Sequence, residues 1–307
     1  MTTNHKQAMR RRWVAAPSAV AVAAVLAACG SNGSTSSSGS DDGSAGSGAP
    51  AATSTVTVPA SIKKAGQIRF CADLTSPPYD YYEGTKPAGS DVDLGNAIAA
   101  MMGVKANWVR TQWSSIIPSL LTGKCDAILA GMTNTPQRAK QVTFTNYINV
   151  GLGVLVKKGN SVGIKSVDDL AGKTVATQLG NYASTILKQQ NKKLKAAGKK
   201  PIDIKTYPGD TDAAQALVAG DVDAFVEDIV ICSYFNRQHS GQFQLAFNSQ
   251  FAPLPEGIAV APKNTAVQKA MNQAIEALYK NGTEQKILKK WEIPQVALPK
   301  YASSGAS

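Results

Sequence analysis

Thr133, Thr135 and Arg138 lie close together, directly after the apolar run Ala127-Ile128-Leu129-Ala130 and Gly131. Hydroxyls, a backbone position without a side chain and one guanidinium suit a single task. They can hold a small carboxylate, with the arginine fork gripping both oxygens. Thr135 reads as a helix N-cap and Pro136 as the first helical residue. Arg138 then falls in the first turn, where a cation opposes the helix dipole. An anion held beside the free N–H groups offsets that cost. An internal Asp or Glu paired with Arg138 accounts for its charge equally well. Two other places complement this one. Gly180-Asn181-Tyr182 follows a predicted strand and opens a helix, which makes a second backbone anion site. Asp228 closes the apolar stretch Ala224-Phe225-Val226 and suits an ammonium group, with a helix N-cap as the alternative role. A carboxylate clamp and an ammonium clamp together describe a zwitterionic α-amino acid.

Other chemistries are poorly supplied. Past His5 the only histidine is His239, in a polar stretch, so a Ser-His-Asp triad or a histidine metal site is not expected. There is no G-x-S-x-G, no P-loop and no G-x-G-x-x-G. The acid pairs Asp91/Asp93 and Asp221/Asp223 sit at a helix start and before a strand, where capping and turn roles explain them. No cofactor and no metal is expected.

The elements that must position these residues alternate. Gln67 to Ala72 is a predicted strand, Val92 to Met102 a helix stopped by Gly103, and Ala106 to Arg110 a strand. Ser114 to Thr122 is a helix stopped by Gly123, and Cys125 to Ala130 a strand. A second round follows: a strand at Thr174 to Thr177, a helix after Gly180, a helix stopped by Gly220 and a strand at Ala224 to Val226. This is an α/β pattern with a largely parallel sheet. Two extended crossings, Asn149 to Lys157 and Gly257 to Ala261, join the two rounds. A helix from Ala266 to Asn281 and a turn or helix from Lys286 to Trp291 follow. Two lobes joined twice make a hinge and a cleft, and strand carboxyl ends face such a cleft.

The first residues stand apart. Arg10 to Arg12 precede an apolar stretch from Val14 to Leu26, which ends in Leu26-Ala27-Ala28-Cys29-Gly30. That is the pattern of a secretory leader. A cysteine directly after the small residues looks like a bacterial lipobox, with Cys29 as the lipidated residue. The arginine cluster leaves Sec and twin-arginine export both open. Residues 30–58 are almost all Ser, Gly, Ala and Thr, a composition that cannot form a core. About 29 such residues form a tether with a reach of roughly 30 Å. The leader carries four cations (Lys6, Arg10, Arg11, Arg12) of the net +11. Much of the remaining excess sits in Lys188 to Lys200, which reads as a solvated helix end without interleaved aromatics, so no nucleic-acid partner is expected. Beyond Cys29 the cysteines are Cys71, Cys125 and Cys232, an odd number without C-x-x-C. Cys71 and Cys125 fall on neighbouring predicted strands, where a disulfide or two buried thiols are both compatible.

Four blocks carry a resemblance: "PPYDYYEGTKPAGSDVDLGNAIA", "WSSIIPSLLTGKCDAILAGMTNTPQRAKQVTF", "SVDDLAGKTVATQLGNYAS" and "ALVAGDVDAFVED". In this order, covering nearly all of 62–295, the chain resembles extracytoplasmic solute-binding proteins, family 3, of polar amino-acid ABC importers. The resemblance implies a two-lobed α/β fold of periplasmic-binding-protein type II, the Venus flytrap, with two hinge crossings. It implies that the arginine matching Arg138 binds the ligand carboxylate, and that the residues matching Thr133 and Asp228, with the main chain at Gly131, hold the ammonium. Thr133, Gly180, Asn181 and Tyr182 are further carboxylate candidates, and Asp73, Ser76, Tyr79, Trp113 and Met132 are assigned to the side-chain pocket. The chain departs from the family pattern at Ala130-Gly131, where serines are commoner, at Asn181-Tyr182, and at Ser76, where an aromatic often stacks. Tyr79, Tyr81 and Tyr82 are close enough in sequence to substitute for it. Asp73 and Glu83 suit a cationic side chain, while Trp113 and the tyrosines suit an aromatic or amide one; a neutral or quaternary-amine ligand also fits.

The expected organisation is a leader (1–29), a tether (30–58), one lobe from 59–152 plus 257–307 and another from 153–256. The expected protein is a monomeric, lipid-anchored receptor on the outer face of a bacterial cytoplasmic membrane. It would deliver an amino acid to a permease with ATPase subunits. Rival readings are an enzyme on the same scaffold, dehydratase-like and acting on small carboxylates, and a sensor ectodomain.

Overall fold

The computed structural model describes residues 56–299 apart from 248. The leader, Cys29 and most of the tether lie outside the described residues. Where the tether is expected to reach 58, Val56 is already buried and the Thr57 N–H donates to Gln273 Oε1 at 2.8 Å. The folded part therefore starts earlier than composition suggests.

Helix α1 (Ala60–Ala65) leads into β1 (Gln67–Ala72) through Gly66 at φ 63°. The chain then makes a small antiparallel sheet, β2 (Thr75–Ser76), β3 (Asp80–Glu83) and β4 (Lys86–Ala88), before α2 (Ser90–Met101). Strand β5 (Lys105–Arg110), helix α3 (Ile116–Leu121) and β6 (Ala127–Ile128) complete the first round. Both β5 and β6 lie parallel to β1. The expected strand at 125–130 has only two residues in the ladder, because the chain bends away at Gly131, whose φ is +54°. Helix α4 (Pro136–Ala139) and the long β7 (Thr143–Lys157) follow.

In the second round, β8 (Thr174–Gln178), α5 (Tyr182–Ala196), β9 (Asp203–Tyr207), α6 (Asp210–Ala219) and β10 (Ala224–Asp228) repeat the strand–helix alternation. Strands β9 and β10 flank β8 in parallel. Helix α7 (Ile229–Gln238), β11 (Phe243–Leu245), β12 (Phe251–Val260), α8 (Thr265–Lys280) and α9 (Thr283–Lys290) close the described chain. The main sheet runs β5-β1-β6-β12-β7-β10-β8-β9, with β11 beside β7. The two parallel triplets thus flank β12 and β7, which pair antiparallel from Thr143↔Val260 to Leu152↔Phe251. Their register shifts between Phe251 and Leu254 and again between Glu256 and Gly257.

Apolar residues at helical spacing on α8, including Met271 and Ile275, pack with Phe70, Ile98 and Ile258. Leu187 of α5 packs with Val154 and Val226 on the other side of the molecule. The lysines at 192 and 193 are exposed on α5, as a solvated helix end requires. Among the described residues no helix is long and apolar enough to cross a membrane.

Cys71 and Cys125 form a disulfide with Cα atoms 5.6 Å apart, and Cys232 is a buried free thiol. The bond closes a sequence separation of 54 residues. Restricting an unfolded loop of that size stabilises by about 4 kcal/mol in the chain-entropy account. Replacing both cysteines by serine should lower the melting temperature by about 10 °C. An unchanged calorimetric melt in that double variant would show that the bond contributes nothing to stability.

Candidate functional site

Local chemistry builds the arginine corner. Thr135 caps α4: its side chain accepts from the Arg138 N–H at 3.2 Å, with Pro136 at the helix start. The helix has only four residues, so the Arg138 side chain turns back onto the preceding loop. Nη1 donates to Thr133 O at 3.0 Å and Nη2 to Gly180 O at 3.3 Å. The guanidinium carbon sits 5.2 Å from the Trp113 ring centroid. Arg138 is 9% exposed, and burial lowers its pKa while Asp228, Glu256 and Glu227 oppose that shift. No described carboxylate comes within ion-pairing reach of it. The internal ion pair that its sequence context allowed is not made.

The loop after β6 is pinned to β12. Met132 O accepts from the Gly257 N–H at 3.0 Å, and the Asn134 N–H donates to Pro255 O at 2.8 Å. Thr133 thereby lies opposite Glu256. Gly131 has a different role from the one its small size suggests. A Cβ there would meet the Tyr79 ring at 2.8 Å, and its N–H donates to Asp91 Oδ2 at 2.7 Å. Its N–H is therefore already engaged. Asp91 is more than the helix-start residue its position suggested: it is buried, bridges to Gly131 and accepts from Tyr147 Oη at 2.9 Å. Burial pushes its pKa up to about 7, against the lowering effect of those two hydrogen bonds. Asp93 takes the outward course and accepts from Lys290 and Trp291.

Asp228 occupies the N-cap position of α7, yet its side chain makes no capping bond. It is buried beside Glu256 of β12, and burial raises its pKa to about 6 while the Glu256 hydrogen bond and Arg138 pull it down. Burial, then Asp228, pushes Glu256 well above the usual carboxylate range. Both Glu256 oxygens and Tyr79 Oη are buried without a well-aligned hydrogen-bond partner.

A second group of acids lies where the two rounds meet. Ser76 Oγ donates to Asp210 Oδ2 at 2.6 Å, and Gln178 Nε2 donates to Asp73 Oδ2 at 2.6 Å. Glu227 accepts from Thr177 Oγ1 at 3.4 Å and from Asn181 Nδ2. Asn181 also caps α5 by accepting from the Ser184 N–H at 2.8 Å, so its side chain is already committed. Burial and the neighbouring Asp73 raise Asp210 to about 8, and burial and Asp210 raise Glu227 well above its ordinary value.

Ser76, Tyr79, Trp113, Gly131, Thr133, Asn181, Tyr182 and Asp228 line one enclosed cavity with Asp210, Glu227 and Gln178. It measures about 20 Å³, room for about one water. An amino acid therefore needs the lobes further apart than they stand here. Arg138, Gly180 and Met132 line a larger adjoining groove of about 920 Å³. Asp73 joins the cavity wall through Gln178. Glu83 and Tyr82 are exposed, and Tyr81 packs against Tyr234 and Trp291, so only Tyr79 of the three tyrosines reaches the cleft. Sequence reasoning missed Gln178, Asp210, Glu227 and Glu256. The available signal was the pair Glu227-Asp228 ending a strand in which all five residues are buried. Among the described residues no group of side chains is placed to hold a metal ion.

A sequence model of the bacterial extracellular solute-binding proteins, family 3, matches residues 68–294. The L-cystine-binding protein TcyJ of Escherichia coli (strain K12) is 29% identical over 232 residues, which are 75% of this chain and 84% of that protein. The arginine-binding extracellular protein ArtP of Bacillus subtilis (strain 168) is 32% identical over 216 residues, 70% of this chain and 81% of that protein. Among solved structures, an ancestral arginine-binding protein bound to arginine superposes with a TM-score of 0.67 at 36% identity, covering 74% of this chain and 98% of the other. The ancestral amino acid-binding protein AncCDT-1, a precursor of cyclohexadienyl dehydratase, gives a TM-score of 0.68 at 32% identity, over 75% and 97% of the two chains.

Proposed function

The chain belongs to the bacterial extracellular solute-binding proteins, family 3, and from that membership we propose that it captures an amino acid between its lobes and delivers it to a membrane permease driven by ATPase subunits. Its relatives are amino-acid-binding proteins, and the family is one of receptors rather than enzymes. The observation that carries the reading is Arg138: a buried guanidinium without an ion-pair partner among the described residues, one cleft away from the buried acid Asp228. Arg138 takes the ligand carboxylate, releasing Gly180 O as the lobes part. Asp228, with Thr133 and the Gly131 main chain, takes the ammonium. The N-terminal backbone of α5 at Gly180-Asn181-Tyr182 closes over the carboxylate from the other lobe. Trp113 and Tyr79 wall the side chain. The lobes are 59–152 plus 257–307 and 153–256, hinged within β7 and β12. Cys29 carries the lipid, and the tether lets the folded part sample the membrane surface around its permease.

The test is a thermal melt of the purified protein, unfolded and refolded to strip carried ligand, against the common amino acids. A ligand that binds only the native state raises the melting temperature, by about 2.7 kcal/mol of stability at a hundred times its Kd. A rise with one amino acid or a few supports the receptor. No rise with any defeats it.

A further inference from the structure

Resting on that reading of the cleft, we propose that Asp210 and Glu227, with Asp73 beside them, form a subsite for a second positive charge on the ligand. The preferred ligands are then amino acids whose side chain is an amine or a guanidinium, ahead of neutral ones.

The three acids come from three elements. Asp73 follows β1, Asp210 opens α6 and Glu227 lies in β10. Each is 4% exposed or less. The groups that hydrogen-bond to them carry no positive charge: Thr75, Gln178, Ser76 and the buried acid Asp80 at Asp73, Ser76 at Asp210, and Thr177, Asn181 and the Asp228 N–H at Glu227. Asp210 lies on the cavity wall against Glu227, whose side-chain hydrogen bond lowers its pKa, and its Oδ1 is buried without a well-aligned donor. Arg138 is the one buried cation among the described residues, and its hydrogen bonds go to Thr133 O and Gly180 O.

The zwitterionic part of the ligand does not use these acids. Its carboxylate belongs to Arg138 and its ammonium to Asp228. The side chain then extends toward Asp210 and Glu227 on the same cavity wall. Buried carboxylates that approach each other need either a proton between them or a cation. Burial already drives Asp210 and Glu227 toward the protonated form. A ligand ammonium or guanidinium replaces that proton and brings a well-aligned donor to Asp210 Oδ1. A neutral side chain leaves the acids dependent on protons, which are scarce above neutral pH.

The experiment is calorimetric titration of the refolded, ligand-stripped protein at pH 7.5 with L-arginine, L-lysine, L-glutamine and L-citrulline, the neutral isostere of arginine. Arginine or lysine should bind at least about tenfold tighter than citrulline and glutamine. In the Asp210→Asn, Glu227→Gln double variant that gap should collapse while neutral amino acids still bind. Citrulline or glutamine binding as tightly as arginine and lysine overturns the subsite and leaves the receptor intact. A gap that persists in the double variant also overturns the assignment to these two acids. Binding of no amino acid, charged or neutral, defeats both readings. Should the double variant fail to fold, the wild-type comparison of arginine with citrulline still decides the charge preference.

Discussion

Arg138→Ala should lose about 3–5 kcal/mol of amino-acid affinity, a rise in Kd from about 10² to above 10³-fold. The ligand carboxylate would enter a cleft with no other buried cation among the described residues, facing the ionisable acids Asp228, Glu227 and Glu256. Arg138→Lys should recover only part of the loss. A lysine keeps the charge but lacks the planar fork that meets two oxygens at once. The fold should survive both changes, since the Arg138 guanidinium donates only to two backbone carbonyls and the Thr135 side chain caps α4 through the Arg138 main-chain N–H. Titration calorimetry with the best wild-type ligand measures the effect. Near-wild-type affinity in a folded Arg138→Ala protein would remove Arg138 from the site.

A second large effect comes from pH. Asp91, Asp210 and Asp228 have pKa values pushed from 3.8 to about 7, 8 and 6, in each case mainly by burial. The folded, closed form therefore binds more protons than the unfolded chain between about pH 4 and pH 8. Where the native state holds the extra protons, the free energy of unfolding falls as pH rises. The stabilisation is complete below about pH 4, where both states are protonated, and is lost as pH climbs through the raised values. A shift of three units in one buried carboxyl corresponds to about 4 kcal/mol. The protein can avoid part of that cost by parting its lobes, which returns Asp210 and Asp228 on the cavity wall to water. The expected observation is a melting temperature that falls by several degrees from pH 5 to pH 8.5, with a larger radius of gyration in X-ray scattering at the higher pH. A melt that is flat or rises over that interval, with no change in radius, would mean that these acids ionise at ordinary values.

The parts of this site legible in the sequence were those set by neighbours along the chain. The Thr135 cap, Pro136 and the placing of Arg138 rest on rules that span four residues, and the glycines at 123 and 220 stop helices by their own φ. The two crossings were legible as extended runs at 149–157 and 257–261, although the strands that make them begin earlier, at Thr143 and Phe251, where the sequence is less uniformly apolar. The buried acids were not. A carboxylate at a helix start is ordinarily a surface feature, and nothing near Asp210 in the sequence announces that Ser76 will bond to it across 134 positions. Glu256 is invisible for the same reason, since it is buried by the pairing of β12 with β7 and by its contact with Asp228, both distant in sequence. The Cys71–Cys125 bond depends on the register of β1 against β6, which spacing does not encode.

The pairing of β7 with β12 has a mechanical consequence. These strands stay hydrogen-bonded to each other along the middle of the sheet, so opening cannot unzip them. It must twist them, and a twisted ribbon yields most easily at the two interruptions in their pairing, between Phe251 and Leu254 and between Glu256 and Gly257. One of them lies beside the buried carboxyl of Glu256. In the proposed receptor, ligand charge arriving at Asp228 beside Glu256 would act where displacement is smallest. The distal surfaces proposed to meet a permease would act as the long arm of the lever. A change of a fraction of an ångström at the pivot becomes a much larger travel at the rim. The rim can thus report an occupied cleft without touching the ligand.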